Sequence, residues 1–176
     1  MAKREIDTDA ILEEATKDDM YHAWLLAMNA IVEQELIAFE EMQDLTGGVN
    51  DFINHSADFS DGAIGKAEEL MGIPRPYQRI NKDKVSSAFD LEAFKRKVSK
   101  LAIHTALCVL CIGLESTGRF TTDDLRRVFF SVDLTLAELE RGITSYATIE
   151  KRLASCGITH ERVNDDIHNT KVSSPS

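Results

Sequence analysis

The chain has 176 residues, 43% hydrophobic and 28% charged, with a net charge of −10, enough apolar material for one core that needs neither disulfides nor a structural metal. Only three prolines and nine glycines interrupt it, hairpin dipeptides are limited to Asp61-Gly62, and the composition points to an all-α fold. The overall acidity argues against a protein that wraps duplex nucleic acid, whose affinity would come mainly from neutralising phosphates.

From Asp18 to about Leu45, apolar residues recur three or four apart at Tyr21, Leu25, Met28, Val32, Phe39 and Met42. This predicts a first long helix over about 18–45, stopped by Gly47-Gly48. A shorter helix capped by Asp7 or Thr8 is expected before it. Asp51 to His55 makes a turn or two, and Ser60 and Gly72 bracket a helix through Ala63, Ala67 and Leu70-Met71. Ile73-Pro74-Arg75-Pro76-Tyr77 reads as an extended connector, because the residue before each proline avoids helix. A second long helix is predicted over 90–117, ended by Gly118, and a third over about 122–155, ended by Gly157. Thr121 and Asp124 stand at capping-box spacing at the start of the third, and Gly142 is a weak point inside it. The short link predicts that the second and third helices pack antiparallel. A last short helix from Thr159 to about His168 would complete a single α-helical domain over 1–169, followed by a disordered tail, 170–176.

Met1–Glu5 turns charged at once, with no apolar segment behind it, so no secretory signal is expected. The near-apolar run Leu101–Leu114 is broken by His104 and Thr105 and falls short of the ~20 residues of a membrane span. Three cysteines, Cys108, Cys111 and Cys156, are an odd number and fit reduced thiols in the cytoplasm.

Charge is segregated along the chain. Residues 1–72 carry −13, residues 73–105 carry +5 and residues 106–176 carry −2. The basic waist, with Arg75, Arg79, Lys82 and Lys84 around Tyr77, would dock an acidic partner, including the N-terminal half of another copy. Glu33 and Glu40, which share a polar stripe with His22 and Asn29, are the acidic candidates for such a contact.

The sharpest chemical pattern is His104, Cys108, Cys111 and Glu115. Spacings of four, three and four put an imidazole, two thiols and a carboxylate on one stripe of the second long helix. His104, Cys108 and Cys111 would suit zinc or iron. The alternative is that both thiols are small hydrophobes in a helix buried all round, with His104 bonded to a neighbouring helix. No nucleophile elbow, P-loop or dinucleotide fingerprint occurs. No acid lies between Glu92 and Glu115 to face the carboxylates of residues 33–44, so two-metal hydrolysis lacks its second half.

These readings favour a non-enzymatic protein-protein interaction or regulatory protein of adaptor, chaperone, inhibitor or immunity type, homo-oligomeric, without cofactor, membrane or nucleic acid. A metal-binding bundle, enzyme or sensor, is the alternative. An acidic mimic of nucleic-acid charge is a weaker one.

Overall fold

The computed structural model describes residues 8–56, 60–76 and 87–158. Among them are six α-helices and no strand: α1 (Thr8–Glu33), α2 (Met42–Ser56), α3 (Asp61–Met71), α4 (Ala88–Ser116), α5 (Thr122–Glu140) and α6 (Tyr146–Ser155), with one 3₁₀ turn, Phe39–Glu41, ahead of α2. The all-α bundle is as the composition predicts. The tail 170–176 and the short helix expected over 159–168 lie outside the described residues.

Two helices form the axis. In α1 every residue from Ala23 to Ile31 is buried, and in α4 the run from Ala106 to Cys111 is buried likewise. A helix apolar on all sides can persist only where other elements cover all of it. α4 packs on α1, α2, α3 and α5, while α1 also meets α5 and α6. One cluster of buried apolar side chains draws on all six helices. By length and composition alone α4 is long and apolar enough to cross a membrane, with a mean hydropathy of 1.6 over its most apolar 18-residue window, a property it shares with buried core helices; 61% of that window is buried inside the fold.

The first long helix differs from its predicted bounds at both ends. It starts at Thr8, absorbing the separate short helix, and stops at Glu33 instead of running to Leu45. The stop is a Schellman motif: Leu36 N–H bonds the Ile31 carbonyl at 3.4 Å and Glu35 N–H bonds that of Val32 at 3.2 Å. The residue that must turn left-handed is Glu35, with φ of 50°, where glycine ordinarily stands.

Gly47 and Gly48, read as a helix stop, lie inside α2. Each costs a helix about 1 kcal/mol relative to alanine, but α2 buries Met42, Leu45 and Val49 against the core, and that burial outweighs the backbone entropy. α2 crosses α4 closely at Gly113, where an added Cβ would come within 3.2 Å of Phe52 Cδ1 and 3.5 Å of Val49 Cγ1.

The predicted third helix is two helices. Gly142, with φ of 69°, closes α5 in a second Schellman motif: its N–H bonds Leu139 O and Ile143 N–H bonds Glu138 O. Ser145 then caps α6. The other caps fall as read. Ser60 accepts from Ala63 N–H and Gly72 closes α3, and Thr121 and Asp124 form a reciprocal capping box; α4 differs, starting at Ala88 under a Ser87 cap, two residues before the expected Asp90. The short link between α4 and α5 does not make them the main antiparallel pair, because α1 holds the longest contact with α4 and α5 packs more on α1 and α3.

A left-handed non-glycine residue costs about 1 kcal/mol. Glu35→Gly is therefore expected to raise the stability by about that amount, read from urea-unfolding midpoints, with unchanged far-UV circular dichroism.

Candidate functional site

Glu68 of α3 and Arg75 of the connector after it, both partly exposed, meet the buried His104 and Cys108 of α4 at the edge of the core. His104 is 6% exposed and Cys108 fully buried. His104 Nε2 lies 2.9 Å from Glu68 Oε1. An ionised carboxylate can only accept, so Nε2 carries the hydrogen. Cys108 Sγ lies 3.6 Å from the same nitrogen, as the four-residue spacing on one helix dictates. Arg75 Nε donates to Glu68 Oε1 at 3.1 Å, and its Nη1 donates to Asp61 at 3.2 Å. Neither bond to Glu68 uses Oε2, and no described residue bonds His104 Nδ1.

The network sets the ionisation of its members. Burial pushes the Glu68 pKa up, but the hydrogen bonds from His104 and Arg75, with their charges, outweigh it and hold the carboxyl below its ordinary value. Burial, helped by the Glu68 charge, pushes the Cys108 thiol up to about 12 against the opposing pull of Arg75. Burial likewise pushes Cys111 up to about 12. Protonated, enclosed thiols are poor nucleophiles, and Cys108 is fully buried beside His104.

His104 also forms part of the wall of a cleft of about 450 Å³ between the connector Gly72–Pro76, α4 and α5. Ile73, Pro74, Ile103, Leu107 and Leu136 make it apolar. Lys100 and Glu140, both lining residues, form an ion pair of 2.7 Å across it.

The structure thus joins His104 and Cys108 of the predicted ligand stripe, but the third donor is Glu68. The oxygen of Glu68, the Nε2 of His104 and the Sγ of Cys108 all lie within 4.8 Å of one another. Cys111 stands outside that group, one turn further on, where the charges that act on it include those of Glu115 and Lys66. Glu68 was readable as a charge on the seam Ile64, Ala67, Met71 of α3, whose neighbours are buried; only the packing of α3 on α4 reveals its partner.

Of the residues expected at a partner surface, Tyr77, Arg79, Lys82 and Lys84 lie outside the described residues. Arg75 is engaged by Glu68 and Asp61. Glu33 lies in a polar seam between α1 and α6, where Arg152 pairs with it and also donates to Asn29 at 3.2 Å. His22 of the same stripe stacks on Tyr146, ring centroids 3.8 Å apart. Glu40 is exposed in the 3₁₀ turn.

A second feature was missed by sequence reasoning. α5 turns Leu125, Val128, Phe129 and Val132 inward, yet Phe130 is 65% and Leu134 53% exposed, and Ile143 just beyond is 67% exposed. The signal was two large apolar residues four apart, off the core stripe.

No protein-family model, curated protein or solved structure matches the chain.

Two outcomes test this geometry. Alkylation of the native protein near pH 8 is expected to modify Cys156, which is partly exposed, while Cys108 and Cys111, both buried, react only on unfolding; peptide mass mapping reads the order. Glu68 contributes stability through a depressed pKa, so its contribution is present above the ordinary glutamate value and is lost as pH falls through the folded one. Glu68→Gln should cost about 1–2 kcal/mol at pH 7, and the difference from wild type should shrink below about pH 4.5.

Proposed function

We propose that the chain is a non-enzymatic interaction protein of regulatory type, acting in the cytoplasm, that self-associates through the outward face of α5. The observation that carries this reading is the ridge Arg126, Phe130, Leu134 and Glu138. These residues stand four apart on one helix, and all four are exposed. Such ridges interlock when two helices pack.

This ridge matches a reversed copy of itself. Laid antiparallel about a two-fold axis between Phe130 and Leu134, Phe130 meets Leu134 of the second copy and Arg126 meets Glu138. Asp123 falls opposite Arg141 in the same register. Every pairing occurs twice, as an isologous interface requires, and each joins opposite charges or two apolar groups. Within the chain these charges are weakly held: Arg126 Nη1 lies 4.0 Å from Asp123, whose side chain is 86% exposed. A stripe of exposed apolar residues flanked by complementary charge favours association over solvation.

The test is charge reversal with rescue, read by sedimentation equilibrium at low and high salt. Wild type should be a dimer. Arg126→Glu or Glu138→Arg alone turns two attractive contacts into two repulsive ones and should weaken it by about tenfold or more, less so in high salt. The double variant Arg126→Glu/Glu138→Arg should recover the dimer. A dimer indifferent to either single reversal overturns this register, and a monomeric wild type overturns self-association.

A further inference from the structure

We propose that Glu68, His104 and Cys108 form a site for a zinc-class divalent cation. The proposal goes beyond the interaction reading and stands on different residues. A tetrahedral zinc ion with nitrogen, oxygen and sulfur ligands holds its donor atoms about 3.3–3.7 Å apart. Here Nε2 stands 2.9 Å from Glu68 Oε1 and 3.6 Å from Cys108 Sγ, and all three donors fall within 4.8 Å. Three donors from two helices are therefore already gathered at near-ligand separations, without the large rearrangement that a site assembled from a single helix would demand.

The donor types select the ion. A thiolate and an imidazole favour zinc over magnesium or calcium, which take oxygen alone. The charges balance: a carboxylate and a thiolate match a divalent cation, the imidazole is neutral, and the nearby Arg75 cation is offset by Asp61, which it also holds. Arg75 is compatible with the ion, because its one bond to Oε1 leaves that oxygen a second lone pair once the Nε2 hydrogen is gone. Its bond then orients a ligating carboxylate, as outer hydrogen bonds do at metal sites.

The protons also have places to go. The Cys108 S–H bond breaks as the sulfur–metal bond forms, and that proton passes to water. The Nε2 hydrogen gives way to the metal, and the ring takes up its hydrogen at Nδ1, which no described residue occupies and which belongs to a residue on the wall of the cleft. Three protein donors leave a fourth position for water.

Cobalt(II) titration of the purified full chain tests the site, because a cobalt–thiolate bond gives a charge-transfer absorption that carboxylate or imidazole alone does not. One ion per chain with that absorption is expected in wild type and in Cys111→Ala, whose thiol is equally buried. Cys108→Ala should abolish the absorption, and Glu68→Ala should weaken binding by at least about tenfold. Circular dichroism checks each variant. Should Cys108→Ala lose its helix, Glu68→Ala decides, since Glu68 sits at a half-buried position of α3. No thiolate absorption in wild type, absorption that disappears with Cys111 instead of Cys108, or cobalt affinity unchanged in Glu68→Ala would overturn the proposal.

Discussion

The structure depends on the mutual burial of α1 and α4. Each has a stretch buried on every side, Ala23 to Ile31 in one, where Asn29 is the single polar residue, and Ala106 to Cys111 in the other, so neither can lie at a surface. The two bury much of their apolar area against each other, and the remaining helices are arranged by what the pair leaves uncovered. α2 and α3 pack on α4, α6 covers α1, and α5 packs on both axial helices and on α3. This explains why short helices persist, even one with two glycines inside it. α2 and α6 would be marginal alone, but each lays an apolar stripe, Met42-Leu45-Val49 or Ile149-Leu153, on a surface that must be covered in any case.

The same burial constrains the polar groups carried by the axial helices. Asp19 is 4% exposed; Ser99 donates to its Oδ1 at 2.9 Å, while its Oδ2 has no partner. A buried acceptor left unpaired costs about 1–3 kcal/mol, a cost the apolar packing around it must exceed. His104 has a better solution, because α3 delivers Glu68 to its Nε2 and Arg75 to the carboxylate. The chain of Asp61, Arg75, Glu68 and His104 pins the connector after α3 to the middle of α4. It is held by charge-assisted hydrogen bonds, roughly twice as strong as neutral ones, and it fixes one side of the cleft.

The helical class and most caps could be read from the sequence because they are local. Ser60, Thr121 and the glycines after α3, α4 and α6 each act within four residues. The break after Glu33 could not be read, because its left-handed residue is a glutamate and the signal normally sought there is glycine. The continuity of α2 through Gly47-Gly48 was hidden for the opposite reason: the local signal is a stop, and it is overridden by packing on α4. The ligand stripe was half visible. His104 and Cys108 share a face by spacing alone, and so does Cys111, but which of them meets a carboxylate depends on where α3 crosses α4, a long-range fact that no periodicity encodes. The division of the third helix at Gly142 was visible as a weakness, and its outcome turned on Ser145 offering a second start three residues later.

α5 relates the two proposals. One face enters the core, a second carries the exposed ridge around Phe130 and Leu134, and between them Asp133, Ala137 and Glu140 line the cleft whose wall includes His104. α5 packs on α3, and α3 carries Glu68. A second copy seated on the ridge would therefore load the helix that borders the cleft, and an ion drawing Glu68 towards α4 would load the helix that supports α5. Any such coupling is reciprocal in binding free energy, so an ion that tightens the dimer must be bound more tightly by the dimer to the same degree. The ridge charges do not touch the donor residues, and the donors do not touch the ridge. Each can be removed singly, and whatever interaction remains between the two sites must pass through the packing of α3, α4 and α5.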